Sequence, residues 1–146
     1  MDSQYNPFRI LIADDDTDDV QLTKDCFSET KLPVHVSDVS DGQVLMDHLS
    51  EINVKNSSNK LPQLILLDLN MPRKSGFEAL QELKQHDLFK KIPVVIFTTS
   101  KASRDIELAY ELGASCFVSK PNTFDEWCDK MGKLGKFWIE CVRVSH

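Results

Sequence analysis

The stretch LILLDLNMP, Leu64 to Pro72, constrains the fold of this chain more than any other. Its opening run is apolar without interruption and too short for a helix, the pattern of a strand buried on both faces. Asp68 ends the run, Asn70 follows, and Pro72 cannot continue a central strand because it lacks the donor a ladder needs. A strand covered on both faces requires strand neighbours at its sides and helices above and below it. A carboxylate at its C-terminal end lies where open α/β sheets place their chemistry, so Asp68 is the first candidate reactive group.

The same pattern recurs along the chain. Arg9 to Ala13 (RILIA) reads as a buried strand that runs into Asp14, Asp15 and Asp16, and Val94 to Phe97 reads as another that ends in Thr98, Thr99 and Ser100. Cys116 to Val118 is a short strand ending in Ser119, Lys120 and Pro121, while Val34 to Val39 alternates like a strand nearer an edge. Between them lie helical stripes. Thr17 to Phe27 carries Val20, Thr23 and Phe27 on one face, with Asp18 and Asp19 in a first turn that favours acids. Val44, Leu45, His48, Leu49 and Ile52 form the second stripe, and 53–60 reads as an exposed polar loop. His48 has no second His or Cys at ligand spacing, so it reads as a surface or packing residue. A helix from about Phe77 to Gln85 turns Phe77, Leu80 and Leu83 inward, and another with Ser103 as N-cap carries Ile106, Ala109 and Tyr110 and stops at Gly113. Thr123 and Glu126 have the spacing of a capping box before a final helix with Phe124, Trp127, Cys128, Met131, Leu134, Trp138 and Cys141 at three- and four-residue steps. Gly132 and Gly135 weaken the far end of that helix by about 1 kcal/mol each against alanine. Strand followed by helix, five times over, predicts one parallel sheet with right-handed crossovers and helices on both faces.

At 146 residues the chain has the length of one domain, and no composition shift divides it. A hydrophobic content of 41% with 27% charged residues is that of a soluble globular protein. The net charge of −6 argues against a nucleic-acid partner, which needs a basic footprint. No long apolar span or basic-then-apolar leader is visible, so no membrane association is expected and a cytoplasmic location is. Cys26, Cys116, Cys128 and Cys141 show no CxxC spacing and lie within apolar patterns, which predicts reduced core thiols.

In a parallel sheet the C-terminal strand ends share one rim. Asp14 and Asp15 come to it from the first strand, Asp68 from the third, Thr98 from the fourth and Lys120 from the fifth. Two like charges about 5 Å apart repel by roughly 3 kcal/mol at an effective dielectric of 20. One lysine leaves three carboxylates two charges short of neutrality, and a divalent cation supplies them. The donors are hard oxygens, which predicts Mg²⁺ or Mn²⁺ rather than zinc. A metal held by carboxylates with open positions can bind a phosphoryl group, with Asp68 as nucleophile and Lys120 and Thr98 on the phosphoryl oxygens. Asp15 is expected to bind the metal directly, Asp14 through a water, and Asn70 through its backbone carbonyl.

LIADDD, LLDLNMPRKSG, IFTTS and FVSKP together resemble the receiver domain of two-component response regulators. Thr98 lies 30 positions beyond Asp68 and Lys120 lies 52 beyond it, spacings usual in that family. The resemblance covers about Phe8 to Leu134. It implies a flavodoxin-like fold, a doubly wound five-stranded parallel sheet of order 2-1-3-4-5 with five helices, in a single receiver domain over 8–142 with tails at 1–7 and 143–146 and no output domain. It implies Mg²⁺-dependent phosphoryl transfer to Asp68 from a sensor histidine kinase, in a signalling module that acts only on its own phosphorylation state. Thr98 and Phe117 are implied as switch residues, and Pro121 as a cis-proline. Phe117 stands where tyrosine is common, and Thr99 where a smaller residue is usual. The loop near Asn56 and the long last helix resemble a single-domain subgroup associated with bacterial phytochrome kinases. Output is then expected by contact with a downstream protein, with a homodimer through the face of the fourth helix, fifth strand and fifth helix, supported by Phe117 and residues near Trp138. Three other readings fit less well. An unphosphorylated interaction scaffold predicts decay of the acid–hydroxyl–lysine set, and the set here is complete. A phosphohydrolase of the haloacid-dehalogenase type needs a second acid where Asn70 stands, and a flavodoxin needs phosphate donors where the first loop is acidic.

Overall fold

A computed structural model of the chain describes residues 6–55 and 60–141. Five strands, β1 (Phe8–Ala13), β2 (Val34–Val39), β3 (Leu64–Leu67), β4 (Val94–Thr98) and β5 (Cys116–Ser119), alternate with α1 (Thr17–Thr30), α2 (Gly42–Val54), α3 (Gly76–Gln85), α4 (Ser103–Glu111) and α5 (Phe124–Lys136). All strand pairs are parallel and the sheet order is β2-β1-β3-β4-β5, so the expected architecture is the one found. β3, the unbroken apolar run LILL, sits in the centre and is fully buried on both faces.

Alternation along the strands divides the core in two. Ile10, Ile12, Leu64 and Leu66 face α1 and α5 and pack with Phe27, Trp127 and Met131. Leu11, Ala13, Ile65 and Leu67 face the other way, onto Leu45 and Leu49 of α2 and Leu80 and Leu83 of α3. Each large aliphatic or aromatic side chain so buried contributes about 1.5–3 kcal/mol. Among the described residues no helix is long and apolar enough to cross a membrane.

Several local expectations are corrected. The thiols of Cys26 and Cys128 are joined in a disulfide between residues 102 apart in sequence, with a Cα–Cα distance of 4.6 Å. α1 and α5 lie side by side on one face of the sheet, a tertiary proximity that spacing along the chain does not reveal. Cys116 is a free, half-buried thiol whose pKa burial raises, and Cys141 is free but exposed. The Lys120–Pro121 bond is trans, not cis. Trans is the lower-energy form of such bonds by about 0.5–1 kcal/mol. α4 is preceded by Ala102 as N-cap with no side-chain cap; Ser103 is its first helical residue. Ser75 and Glu78 form a reciprocal capping box at α3, with the same three-residue spacing as Thr123 and Glu126. α5 gives way to a π-helical turn over Phe137–Cys141; Trp138 is buried there at 8% exposure, whereas Phe137 and Phe124 are exposed. Trp138 therefore belongs to the core, beside the exposed Phe137. Of the polar loop expected at 53–60, Asn53 and Val54 end α2, and 56–59 lie outside the described residues, as do 1–5 and 142–146 of the expected tails.

Candidate functional site

The sheet ladder carries each acid to the rim. The backbone N–H of Asp14 donates to Val39 O at 3.1 Å and that of Asp68 to Ala13 O at 3.0 Å, extending the β1–β2 and β1–β3 ladders by one step. The N–H of Lys120 likewise donates to Thr98 O at 2.7 Å just beyond β5. These main-chain bonds hold the strand ends in step, so their side chains converge. Asp14, Asp68, Thr98 and Lys120 are all buried, and Asp15 is exposed at the mouth.

Gly76 fixes the loop that follows Asp68. Its N–H donates to Leu69 O at 3.0 Å, and a Cβ at this position would lie 2.2 Å from Asp68 O and 2.6 Å from Leu69 Cα. Only glycine lets the N-terminus of α3 press so close against the backbone of the acid. Asn70 is exposed in the intervening turn, and its carbonyl accepts no hydrogen bond from the described residues.

Lys120 is the electrostatic centre. Its Nζ lies 2.7 Å from Asp14 Oδ2, 2.8 Å from Asp19 Oδ2 and 3.6 Å from Asp68 Oδ2. Burial works to lower the pKa of this ammonium, but the Asp14 and Asp19 carboxylates outweigh it and hold it above the ordinary lysine value. Burial pushes Asp14 up to about 6, against hydrogen bonds from Lys120 and the Asp16 N–H that favour its charged form. The sequence marks Asp19 only as an acid suited to a helix N-terminus. Its position in the first turn of α1, one turn beyond Asp15, is the signal that would have brought it to the rim.

Asp14, Asp15 and Asp68 each offer a carboxylate oxygen, and these oxygens all lie within 4.8 Å of one another. Asp68 Oδ1 is buried with no hydrogen-bond partner, and a buried polar atom left so costs about 1–3 kcal/mol. An unsatisfied carboxylate oxygen beside two further carboxylates fits a hard divalent cation. Both oxygens of Asp14 are engaged, Oδ1 by the Asp16 N–H at 2.9 Å and Oδ2 by Lys120, which leaves Asp15 and Asp68 as the open donors. Thr98 Oγ1 accepts one long bond, 3.5 Å, from the Ser100 N–H, and its hydroxyl hydrogen meets no acceptor among the described residues. The rim thus combines unspent acceptors, one fixed cation and a hydroxyl free to donate.

Phe117 is half-buried on β5, packed on the α2–α3–α4 side of the core. Its backbone N–H donates to Tyr110 Oη of α4 at 3.1 Å.

Residues 10–131 match the family model described as the response regulator receiver domain. The response regulator Rcp1 of Synechocystis is 33% identical over 99% of this chain and 98% of its own length. Its Mn²⁺-bound crystal structure superimposes with a TM-score of 0.85, covering 96% of this chain and all of that one. The phosphorylated cyanobacterial phytochrome response regulator RcpA superimposes with a TM-score of 0.86 at 30% identity, over 97% of this chain and all of that one. RPA3017, a response regulator in red light signalling of R. palustris, gives 0.86 at 25% identity, over 97% of this chain and 99% of that one. A family model that spans most of the chain, relatives matched along almost their whole length and an acid–hydroxyl–lysine rim at the strand ends agree: the chain belongs to the response regulator receiver family.

Proposed function

We propose that Asp68 is the phosphoryl acceptor of this receiver domain and that 8–142 is one functional unit built around it. One Asp68 carboxylate oxygen bonds to phosphorus as the bond from phosphorus to a kinase histidine nitrogen breaks and the imidazole leaves with the bonding pair, giving an acyl phosphate. The observation that carries the reading is the unpartnered, buried Asp68 Oδ1 beside Lys120. Mg²⁺, or Mn²⁺ in its place, would be held by Asp15, Asp68 and the Asn70 carbonyl, with Asp14 acting through a water. When bound it cancels charge on the transferring group. Lys120 then holds one phosphoryl oxygen by charge, and Thr98 donates its free hydroxyl to another.

The switch reading assigns Thr98 and Phe117 to the readout, since they occupy neighbouring strands and Phe117 is tied to α4 through Tyr110. Similarity to phytochrome response regulators supports a phytochrome-type sensor kinase as the phosphoryl donor. Leu108 and Tyr110 of α4 and Phe124 of α5 are exposed, which supports a homodimer or a downstream protein at the α4–β5–α5 face. Acetyl phosphate with Mg²⁺, followed by intact-mass measurement, tests the core claim. One phosphoryl group is gained by the wild type and none by Asp68→Asn; a wild type that gains none with any divalent metal overturns it. Light scattering before and after phosphorylation tests the dimer, and a monomer in both states removes it.

A further inference from the structure

Half the sheet away from the rim, a cavity of about 530 Å³ opens between α2 and the start of β1 and β2. That volume lies within the range of small-molecule sites. Arg9 pairs with His35 in the β1–β2 register, and both point to the α2 side, because Leu11 and Val39, at even spacing from them, lie in the α2–α3 core. His48 and Ile52 of α2 form the opposite wall, with Lys60 and Pro62 at one end. Four basic side chains therefore surround a cavity with apolar walls, and no carboxylate is among its described lining residues. This occurs in a chain with 23 acidic residues against 17 Lys and Arg, so the local charge is opposite in sign to that of the whole protein.

The basic groups are also uncommitted. Arg9 Nε donates to Leu61 O at 2.8 Å, which fixes the guanidinium in place, and no carboxylate pairs with it among the described residues. Burial lowers the Arg9 pKa, the mark of a cation partly stripped of water without a counterion. His35, His48 and Lys60 have no hydrogen-bond or ionic partner among the described residues. A half-buried arginine of fixed orientation has donors left over in a planar fork that matches a carboxylate. Ile52 and Pro62 offer apolar surface beside it.

We propose that this cavity binds a small organic carboxylate, its anionic head on Arg9 and Lys60 and its apolar body against Ile52 and Pro62. Such a ligand would bridge α2 to the edge strand β2. The site shares no residue with the phosphoryl rim, so the two can be tested separately.

The test is a titration of the full-length, isotope-labelled protein with 4-phenylbutyrate, followed by amide NMR shifts, with 4-phenylbutanol as the uncharged control. Saturable shifts are expected in the first half of β1, in β2 and in the second half of α2, with the alcohol binding at least tenfold more weakly. Arg9→Gln is expected to weaken the carboxylate at least tenfold. Because that change also removes the bond to Leu61 O, Lys60→Gln, at an exposed position without a partner, is the second variant and is expected to weaken it severalfold. Lys133→Gln on α5 should leave binding unchanged. No saturable shift up to the solubility of the probe, equal binding of the alcohol, or unchanged binding in Lys60→Gln would each overturn the proposal.

Discussion

Replacing Asp68 by Asn should make the metal-free protein more stable, although it removes the candidate reactive group. The Asp68 Oδ2–Lys120 Nζ distance of 3.6 Å corresponds to an attraction of about 4.6 kcal/mol at an effective dielectric of 20. Against it stands repulsion from Asp14, whose nearest ligand oxygen is within 4.8 Å and which is also buried, at about 3.5 kcal/mol on the same scale. Asp15 is exposed and its repulsion is screened toward the value in water, about 1 kcal/mol. The pairwise contributions therefore cancel, and what decides is the buried Asp68 Oδ1 with no partner, at about 1–3 kcal/mol. An amide in its place carries no charge to desolvate and brings two N–H donors toward the Asp14 and Asp15 carboxylates. Urea unfolding in EDTA should thus show Asp68→Asn more stable by about 1–3 kcal/mol, or about 3–10 °C in Tm for a domain of this length. Adding Mg²⁺ should raise the stability of the wild type and narrow or reverse the gap, because a ligand that binds only the native state stabilises it by mass action. A variant less stable than wild type in EDTA would refute this reasoning, since the Lys120 attraction would then outweigh repulsion and desolvation together.

Three further outcomes are expected. Reduction of Cys26–Cys128 should lower stability by about 2–4 kcal/mol, since the bond closes a long loop, and a Cys26→Ala/Cys128→Ala variant should lose all sensitivity to reductant; urea midpoints with and without reductant decide it. Mg²⁺ affinity, followed by calorimetry, should weaken as pH falls through about 6, where a proton on Asp14 competes with the metal. The sign for stability in EDTA is opposite: the folded pKa of Asp14 lies above its unfolded value, so its favourable contribution is complete below about pH 4 and is lost as pH rises through about 6, and Asp14→Asn should flatten that slope. Gly76→Ala should destabilise by about 1–3 kcal/mol and slow phosphorylation by acetyl phosphate, because the new Cβ meets the Asp68 carbonyl; a rate equal to wild type would show that the loop yields without moving the acid.

The fold was legible because its signals are local. β3 and β4 are unbroken apolar runs buried on both faces, and the helices between them repeat with a different period. Sheet order and the placement of Asp14, Asp15, Asp68, Thr98 and Lys120 on one rim then follow from topology and the family resemblance. What escaped the sequence depends on which helix lies beside which. The Cys26–Cys128 bond and the hydrogen bond from Trp127 Nε1 to Thr23 Oγ1, 3.0 Å, both join α1 to α5 across about a hundred residues. Apolar spacing placed Phe124 and Trp138 on one stripe, yet Phe124 lies at the first turn of α5, beyond the sheet, and is exposed. Periodicity reports a face, and it does not report where the surface facing it ends.

The same limit applies to the choice among the acids. From sequence, three carboxylates and one lysine on a rim do not say which carboxylate the lysine neutralises. The distances do: Lys120 hydrogen-bonds Asp14 and Asp19 at 2.7 and 2.8 Å and stands off from Asp68 at 3.6 Å. Asp14 spends its other oxygen on the Asp16 N–H, so both of its oxygens are engaged. Asp68 is left with one oxygen near a cation that is already shared and another bonded to nothing. A nucleophile needs an uncommitted lone pair next to positive charge, and among the buried acids of this rim Asp68 alone has both. Asp19, in the first turn of α1, accepts from Lys120 at 2.8 Å and so takes up a hydrogen bond that the candidate carboxylate, Asp68, does not receive.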